Sequence, residues 1–317
     1  GHAAMAERLT VKHMVEVEAR VLENGFWQVT VVAFDYPGEL SLLCGLLFVH
    51  GLNIVKGDAF TYEPAETAGE DKPGDTRKKI VDVFTVSPVG NMTIQEDLWG
   101  QYVASLENYL DMVKTGKSGD AQLDLVKRVA NRLHTIHGDH DDARAPVLYP
   151  IEIEIDNEIS KTYTVLHIEA PDTVGFLYEL TSALAFNRIY INRVIVDSIG
   201  NRVHDILYVT DNNGRKVLDP EGQRKLRAAT VLIKHFSHLL PYTPNPESAL
   251  LHFREFIADW FEKPGWLDEL ASLESPEVLH AMARLLGVSD FLWDDFLRMQ
   301  HENLFPIVQD VDALHSA

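Results

Sequence analysis

One phrase occurs twice in this chain. WQVTVVAFDYPGEL, Trp27 to Leu40, returns as YTVLHIEAPDTVGFL, Tyr163 to Leu177, and the two aspartates, Asp35 and Asp172, stand 137 positions apart. Each copy opens with residues rich in Val, Thr and aromatics, the composition of a buried or half-buried strand. Each then breaks at Asp-x-x-Gly and runs on in apolar residues. In the first, Leu40, Leu42, Leu43, Leu46, Leu47 and Phe48 make a helix apolar over most of its surface, with Gly51 in the position favoured just past a helix end. A second strand, Asn53 to Tyr62, follows. The register is kept without a gap, since Asp35 to Ile54 and Asp172 to Ile191 both span 19 positions. Third strands also match, Val81 to Val86 against His204 to Val209, but Asp82 and Asp205 are only 123 apart. The 14-residue difference is an insertion within EPAETAGEDKPGDTRKK, Glu63 to Lys79, whose Pro, Gly and charges predict a solvated loop. A further amphipathic helix closes each copy, Ile94 to Val113 and Pro220 to Leu240. Strand, turn, helix, strand, strand, helix, written twice, predicts two α+β sandwiches with helices on one face of an antiparallel sheet. Each needs a fourth strand, and Ile151 to Ile155 offers one by its alternation.

Charge narrows the partners. Lys and Arg number 28 against 48 Asp and Glu, a net charge of −20 over 317 residues, and such a field repels phosphate backbones and anionic lipid. Nucleic acid and membrane are therefore not expected partners. The apolar run around Leu40 to Val49 is shorter than the ~20 residues a membrane-spanning helix needs. GHAAMAERLTVKHMVEVEAR, the first twenty residues, is charged throughout and lacks the apolar core of a signal peptide. The single cysteine, Cys44, suits a reducing, cytoplasmic setting and reads as a small buried hydrophobe.

The sequence of elements, ending in a D-[VI]-[FL]-x-V strand, resembles the ACT domain, a small-molecule-binding regulatory module of ferredoxin-like fold. The second copy, from Ile155-Asp156-Asn157-Glu158 and Ser160 through RVHDILYVTD to Gly214 and Lys216, is similar to the C-terminal ACT domain of bacterial PII uridylyltransferases. Its turn departs from that family's usual Asp-Arg-Pro-Gly, reading Asp172-Thr173-Val174-Gly175. The fold class implied is α+β: two ferredoxin-like ACT domains (βαββαβ) plus a C-terminal all-α segment. The expected divisions are residues 1–116 for the first ACT domain with an N-terminal extension, 117–148 for a helical and polar linker, 149–243 for the second ACT domain and 244–317 for a helical tail.

That tail begins after Pro241-Tyr242-Thr243-Pro244-Asn245-Pro246 and has helical periodicity through Leu250, Phe253, Phe256, Ile257, Trp260 and Phe261, then Val278 to Leu286 and Phe291 to Met299, with Asn245, Ser275 and Ser289 as N-caps. ARLLGVSDFLWDDFLRMQHENLFPIV more weakly resembles a helical part of glutamine synthetase adenylyltransferases. Neither resemblance brings a nucleotidyltransferase centre, which needs a Gly-Ser turn followed by two Asp side chains two apart to hold Mg²⁺. The nearest imitation, Ser118-Gly119-Asp120 with Asp124, has the order reversed, and Asp120 reads as a helix N-cap. His134, His137 and His140 with Asp139, Asp141 and Asp142 have the residue types of a metal site but lie in a polar run read as linker. His204 and Asp205 are adjacent on a strand and so face opposite ways. Trp260, Trp266 and Trp293 read as helix packing. No catalytic residue, metal or cofactor is expected.

What remains is binding at the turns, where backbone N–H groups at a helix N-terminus suit an anionic group. The ACT resemblance implies a small amino acid, glutamine, whose α-carboxylate and α-amino groups would lie near Asp35, Gly38, Glu39 and Leu40 with Asn53 and Val55 on the facing edge. The repeat would use Asp172, Gly175, Phe176, Leu177, Asn192 and Arg193. The chain then reads as the regulatory part of a nitrogen-signalling nucleotidyltransferase acting on PII or glutamine synthetase, whose catalytic domain lies elsewhere. Other readings are a structural interaction module whose ACT sheets pair, within the chain or in a homodimer, without a small ligand, and a fragment of an enzyme whose active site includes the helical tail.

Overall fold

The computed structural model describes residues 2–62, 78–90, 93–95, 97–137 and 147–287. Most of the Glu63 to Lys79 insertion, Asp139 to Asp142, Ser289, Trp293 and the Phe291 to Met299 helix lie outside the described residues, as do the side chains of His134 and His137. The chain divides into two units, one formed by residues 1–125 and 150–218, the other by 126–149 and 219–317.

In the first unit, α1 (His2–Arg8) leads into β1 (Val15–Val21), β2 (Trp27–Phe34), α2 (Glu39–Val49), β3 (Leu52–Tyr62), β4 (Lys79–Pro88) and α3 (Leu98–Lys114). The first turns of α4 (Ser118–His137) follow. The second repeat supplies β5 (Glu152–Asp156), β6 (Thr164–Pro171), α5 (Phe176–Phe186), β7 (Tyr190–Val196), the short β8 (Ser198–Ile199) and β9 (Arg202–Thr210). All the strands join one antiparallel sheet in the order β1-β2-β4-β3-β7-β9-β6-β5, with β8 on β9.

The repeats meet at β3 and β7, where Gly57 pairs with Val196, Asp58 with Ile195 and Ala59 with Val194. Each repeat also carries a bulge at the same place, between Ile54 and Lys56 and between Ile191 and Arg193. Val55 and Asn192 are thus the extra residues, and each sharpens the twist where its strand passes the opposite turn.

The fourth strand comes first in each half rather than last. β1 pairs with β2, and β5 with β6, so the described order along the chain is ββαββα, the short β8 aside, where βαββαβ was expected. The edge beside the first strand can be filled from either side of the repeat. Here VEVEARV alternates Val15, Val17, Ala19 and Val21 with charges, as an edge strand does, whereas the chain after α3 turns at Thr115-Gly116 into another helix.

α2 is buried along Glu39–Phe48 and packs on α5, α3 and β3, which explains why its sequence is apolar all round. Its core partners include Val29, Val31, Phe84 and Val86 from the sheet. Around α5 the equivalents are Leu166, Ile168, Leu207 and Val209. Full burial of each such side chain stabilises the fold by roughly 1.5–3 kcal/mol. Gly51 ends α2 in the left-handed region (φ 83°), and Arg188, at the matching position of the second repeat, adopts the same conformation (φ 57°).

The second unit is helical where described: α6 (Pro220–Leu239), a 3₁₀ turn (Leu240–Tyr242), α7 (Pro246–Phe261), α8 (Trp266–Leu273) and α9 (Pro276–Leu286). Three of these helices start alike. Asp219, Asn245 and Ser275 each accept a hydrogen bond from a first-turn N–H, and each is followed by a proline that has no N–H to leave unpaired. Phe236 stacks on Phe253 at 3.8 Å, and Trp260 meets Trp266 edge to face at 5.6 Å while its indole N–H donates to Glu269. These tryptophans are packing residues. Asp120 is in the first turn of α4, two residues past its start at Ser118, rather than at its cap, where its charge still complements the helix dipole.

Candidate ligand site at the strand-to-helix turns

The two Asp-x-x-Gly turns share one backbone geometry. Gly38 and Gly175 are the N-caps of α2 and α5, at φ 76° and 79°, and neither helix start has a side-chain cap. That left-handed conformation is open to glycine and strained for other residues. The aspartates therefore do not cap the helices. The Thr61 hydroxyl acts on Asp35 instead, and the Ser198 hydroxyl on Asp172, each drawing the carboxyl pKa down. Burial pushes both carboxyls above the ordinary range.

Each turn faces the other repeat. The Gly175 N–H donates to Asn53 Oδ1 at 3.4 Å, and a Cβ built on Gly175 would lie 3.9 Å from the Phe48 ring. Symmetrically, a Cβ on Gly38 would lie 3.4 Å from Ala185 Cβ. The phenol of Tyr190 is raised by burial and by the nearby carboxylates of Asp35 and Glu39, which puts it beside the first turn. Counting by the repeat, Tyr190 is the equivalent of Asn53, and Asn192 of Val55. The structure thus brings Asn53 to Gly175, not to Gly38. Asn192 donates to Thr210 across the β7–β9 pair. Arg193 is exposed, 3.7 Å from Asp58 and with its guanidinium 5.7 Å from the centre of the Tyr208 ring.

A small cavity of about 20 Å³ lies at the second turn, lined by Asp172, Gly175, Phe176, Leu177, Asn53 and Ile54, with Cys44, Phe48 and Asp205 among its other walls. Asp205 was not among the expected ligand residues. It shares a strand face with Val203, Leu207 and Val209, all buried, and is itself 1% exposed. Its Oδ1 accepts from the Asp197 N–H at 3.3 Å, and Oδ2 has no hydrogen-bond partner among the described residues. Burial raises its pKa to about 7, with Asp172 and Asp197 adding to the shift. Asp82 repeats the arrangement in the first half, buried and accepting from the Phe60 N–H. The signal was in the sequence: in V-D-V-F-T-V and H-D-I-L-Y-V the aspartate falls in phase with the apolar residues that face the core.

The first turn is chemically different. Glu39 holds the place of Phe176, is buried, and has its carboxyl pushed well up by burial and by Asp35 and Asp82. Leu40 is buried behind it, and Val55 is half-buried on the bulge. Cys44 is buried as expected, with its thiol pushed up by burial and by surrounding carboxylates. His204, half-buried on the opposite sheet face from Asp205, lies 3.5 Å from Glu169. Among the described residues no three His, Cys, Asp or Glu side chains are grouped to hold a metal, and no described helix is long and apolar enough to cross a membrane.

The second unit has a wider groove of about 410 Å³ along Arg224, Lys225, Lys263 and Trp266. Lys225 there is 3.6 Å from Glu221 and 3.9 Å from Glu262, which offsets its charge.

The two repeats are thus joined edge to edge, with a glycine turn of each set against the other. Residues 152–238, which run from β5 to the end of α6, match the family described as ACR9-like, ACT-like domain. The second repeat is an ACT-like domain. The chain is also similar to proteins called bifunctional uridylyltransferase/uridylyl-removing enzyme. That of Rhodopseudomonas palustris is 29% identical over 204 residues, 64% of this chain and 19% of that protein. That of Gluconobacter oxydans is 28% identical over 214 residues, 67% of this chain and 20% of that protein. That of Azospirillum brasilense is 30% identical over 203 residues, 63% of this chain and 19% of that protein. The chain spans about a fifth of the length of the curated relatives it matches. No solved structure matches it. The ACT-like sequence is homologous to the regulatory part of these enzymes, and the β3–β7 pairing joins its two repeats within one chain.

Proposed function

We propose that this chain is an amino-acid-sensing regulatory module, with glutamine as its ligand, that belongs to a nitrogen-signalling nucleotidyltransferase system acting on PII or glutamine synthetase. The observation that carries the reading is the Gly175 turn. It sets the N-terminus of α5 against Asn53 of the other repeat, over a cavity bounded by Asp172 and Asp205. A helix N-terminus attracts a carboxylate, and a buried carboxylate attracts an ammonium group, so the two poles match a free α-amino acid. The cavity has room for about one water-sized group. A whole amino acid therefore enters by parting the turn from β3, which gives binding a structural consequence. Catalysis is assigned to a nucleotidyltransferase domain outside this chain.

The test compares Gly175→Val with the parent chain. The new Cβ clears the Phe48 ring, so the main penalty is the left-handed backbone, about 1–2 kcal/mol. Loss of glutamine binding in titration calorimetry with an unchanged far-UV circular dichroism spectrum supports the reading. Full retention of affinity in that variant contradicts it.

A further inference from the structure

The unpartnered oxygen of Asp205 calls for a donor. It belongs to a side chain 1% exposed, on the wall of a cavity of about 20 Å³ whose other surfaces are largely apolar, among them Phe48, Leu52 and Val203. A buried carboxylate without a donor on one oxygen is disfavoured unless it is protonated or is met by a cation. What can enter is limited by size to a water-sized group, and by chemistry to a donor. A metal ion would need several further ligands, and no such grouping exists among the described residues. A primary ammonium group needs only this: it is close to water in size, and it brings three N–H donors and one positive charge.

We infer that Asp205 is the ammonium-binding residue of the second-turn site, so that ligand binding requires this carboxylate to be ionised. The inference rests on the amino-acid-sensing reading of that site and adds the group that selects a free α-amine. The other charged and titratable groups acting on Asp205 are Asp172 from the turn, Asp197 just after β7 and Cys44 from α2, with Asp197 itself 3.7 Å from Lys56. Burial, with the two aspartates adding to it, holds Asp205 protonated to about pH 7, and an incoming ammonium displaces that proton to solvent. Asp82 repeats the unpartnered buried oxygen in the first half, but its surroundings differ. There Glu39 replaces Phe176 and is buried against Asp35 and Asp82, so its carboxyls already crowd one another.

The test uses the whole chain, with L-glutamine and N-acetyl-L-glutamine as probes. Glutamine should bind about tenfold more tightly per pH unit from pH 5.5 to about 7 and level off above it, because only the ionised fraction is competent. Calorimetry at pH 6.5 in two buffers of different ionisation enthalpy should show proton release, a readout that needs no mutation. Asp205→Asn should weaken glutamine at least tenfold with an unchanged circular dichroism spectrum, Asp82→Asn should not, and N-acetylglutamine should not bind the parent. If glutamine binds but with no proton release, or binds Asp205→Asn as tightly as the parent, the Asp205 assignment is overturned and the sensing reading stands. If glutamine does not bind the parent at all, both are overturned.

Discussion

Asp58 and Ile195 occupy the same position in the two repeats and pair with each other across β3 and β7, so the local two-fold axis of the sheet passes between them. Everything that faces the axis is met by its own counterpart, and for that reason each Gly turn lies against the other repeat rather than its own. Beside the axis, the junction of β3 with β4 leaves little room. A Cβ on neighbouring Gly57 would stand 2.6 Å from the Val83 carbonyl oxygen and 2.4 Å from the Phe84 ring. Gly57→Ala is expected to destabilise the chain by about 1–3 kcal/mol, as overpacking does. Urea unfolding measures it, and an unchanged midpoint would show that the junction yields more readily than its geometry implies.

Arg188 offers the opposite test. It sits in the left-handed region that Gly51 occupies after α2, and it is exposed. Relief of the Cβ clash outweighs the extra freedom glycine gains when unfolded, so Arg188→Gly should stabilise by about 0.5–1 kcal/mol. Gly51→Ala should destabilise. A lower thermal midpoint for Arg188→Gly would mean that the arginine side chain contributes more than its backbone strain removes.

Stability should fall as pH rises from about 4 to about 7. Asp205 titrates near 7 in the folded chain, while an unfolded aspartate titrates near 3.9, so in that window the native state holds a proton the unfolded state has released. The loss attributable to Asp205 is complete above pH 7 and amounts to at most on the order of 4 kcal/mol. Glu39 and Asp82 are shifted in the same direction. Unfolding free energies at pH 5, 6, 7 and 8 should diverge between the parent and Asp205→Asn, the variant gaining with pH. Parallel curves would contradict the assignment.

Phe253 separates folding from binding. It stacks on Phe236 and is fully buried in the helical unit. Phe253→Ala is expected to cost about 3–5 kcal/mol. Calorimetric scanning should show a lowered transition, while glutamine affinity, measured below that transition, stays within twofold of the parent. A tenfold loss of affinity would instead tie the helical unit to the site.

Most of the repeat was legible because each signal is local. The spacing of 19 positions from Asp to Ile fixes turn and helix length, and Asn245-Pro246 and Ser275-Pro276 mark helix starts by cap chemistry alone. β1 does not stand out in the sequence although VEVEARV alternates cleanly, because every second residue is charged and only pairing with β2 makes it a strand. The site was half legible. Gly38 and Gly175 follow from the turn, but which strand faces which turn depends on the β3–β7 register, which no local pattern encodes. That register brings Asn53 to the Gly175 turn and sets Arg193 beside Asp58 and Tyr208. Asp205 could have been found, since a carboxylate in phase with Val203, Leu207 and Val209 must be buried.

The central claim, that one amino acid is held at the Gly175 turn, is tested most directly by titration calorimetry of the parent chain with L-glutamine at pH 7.5. One glutamine per chain is expected, with a Kd on the order of 10 μM to 1 mM, about 4–7 kcal/mol of binding free energy. No binding heat from glutamine or from any other common amino acid would contradict the claim and leave the paired repeats as a structural interaction module.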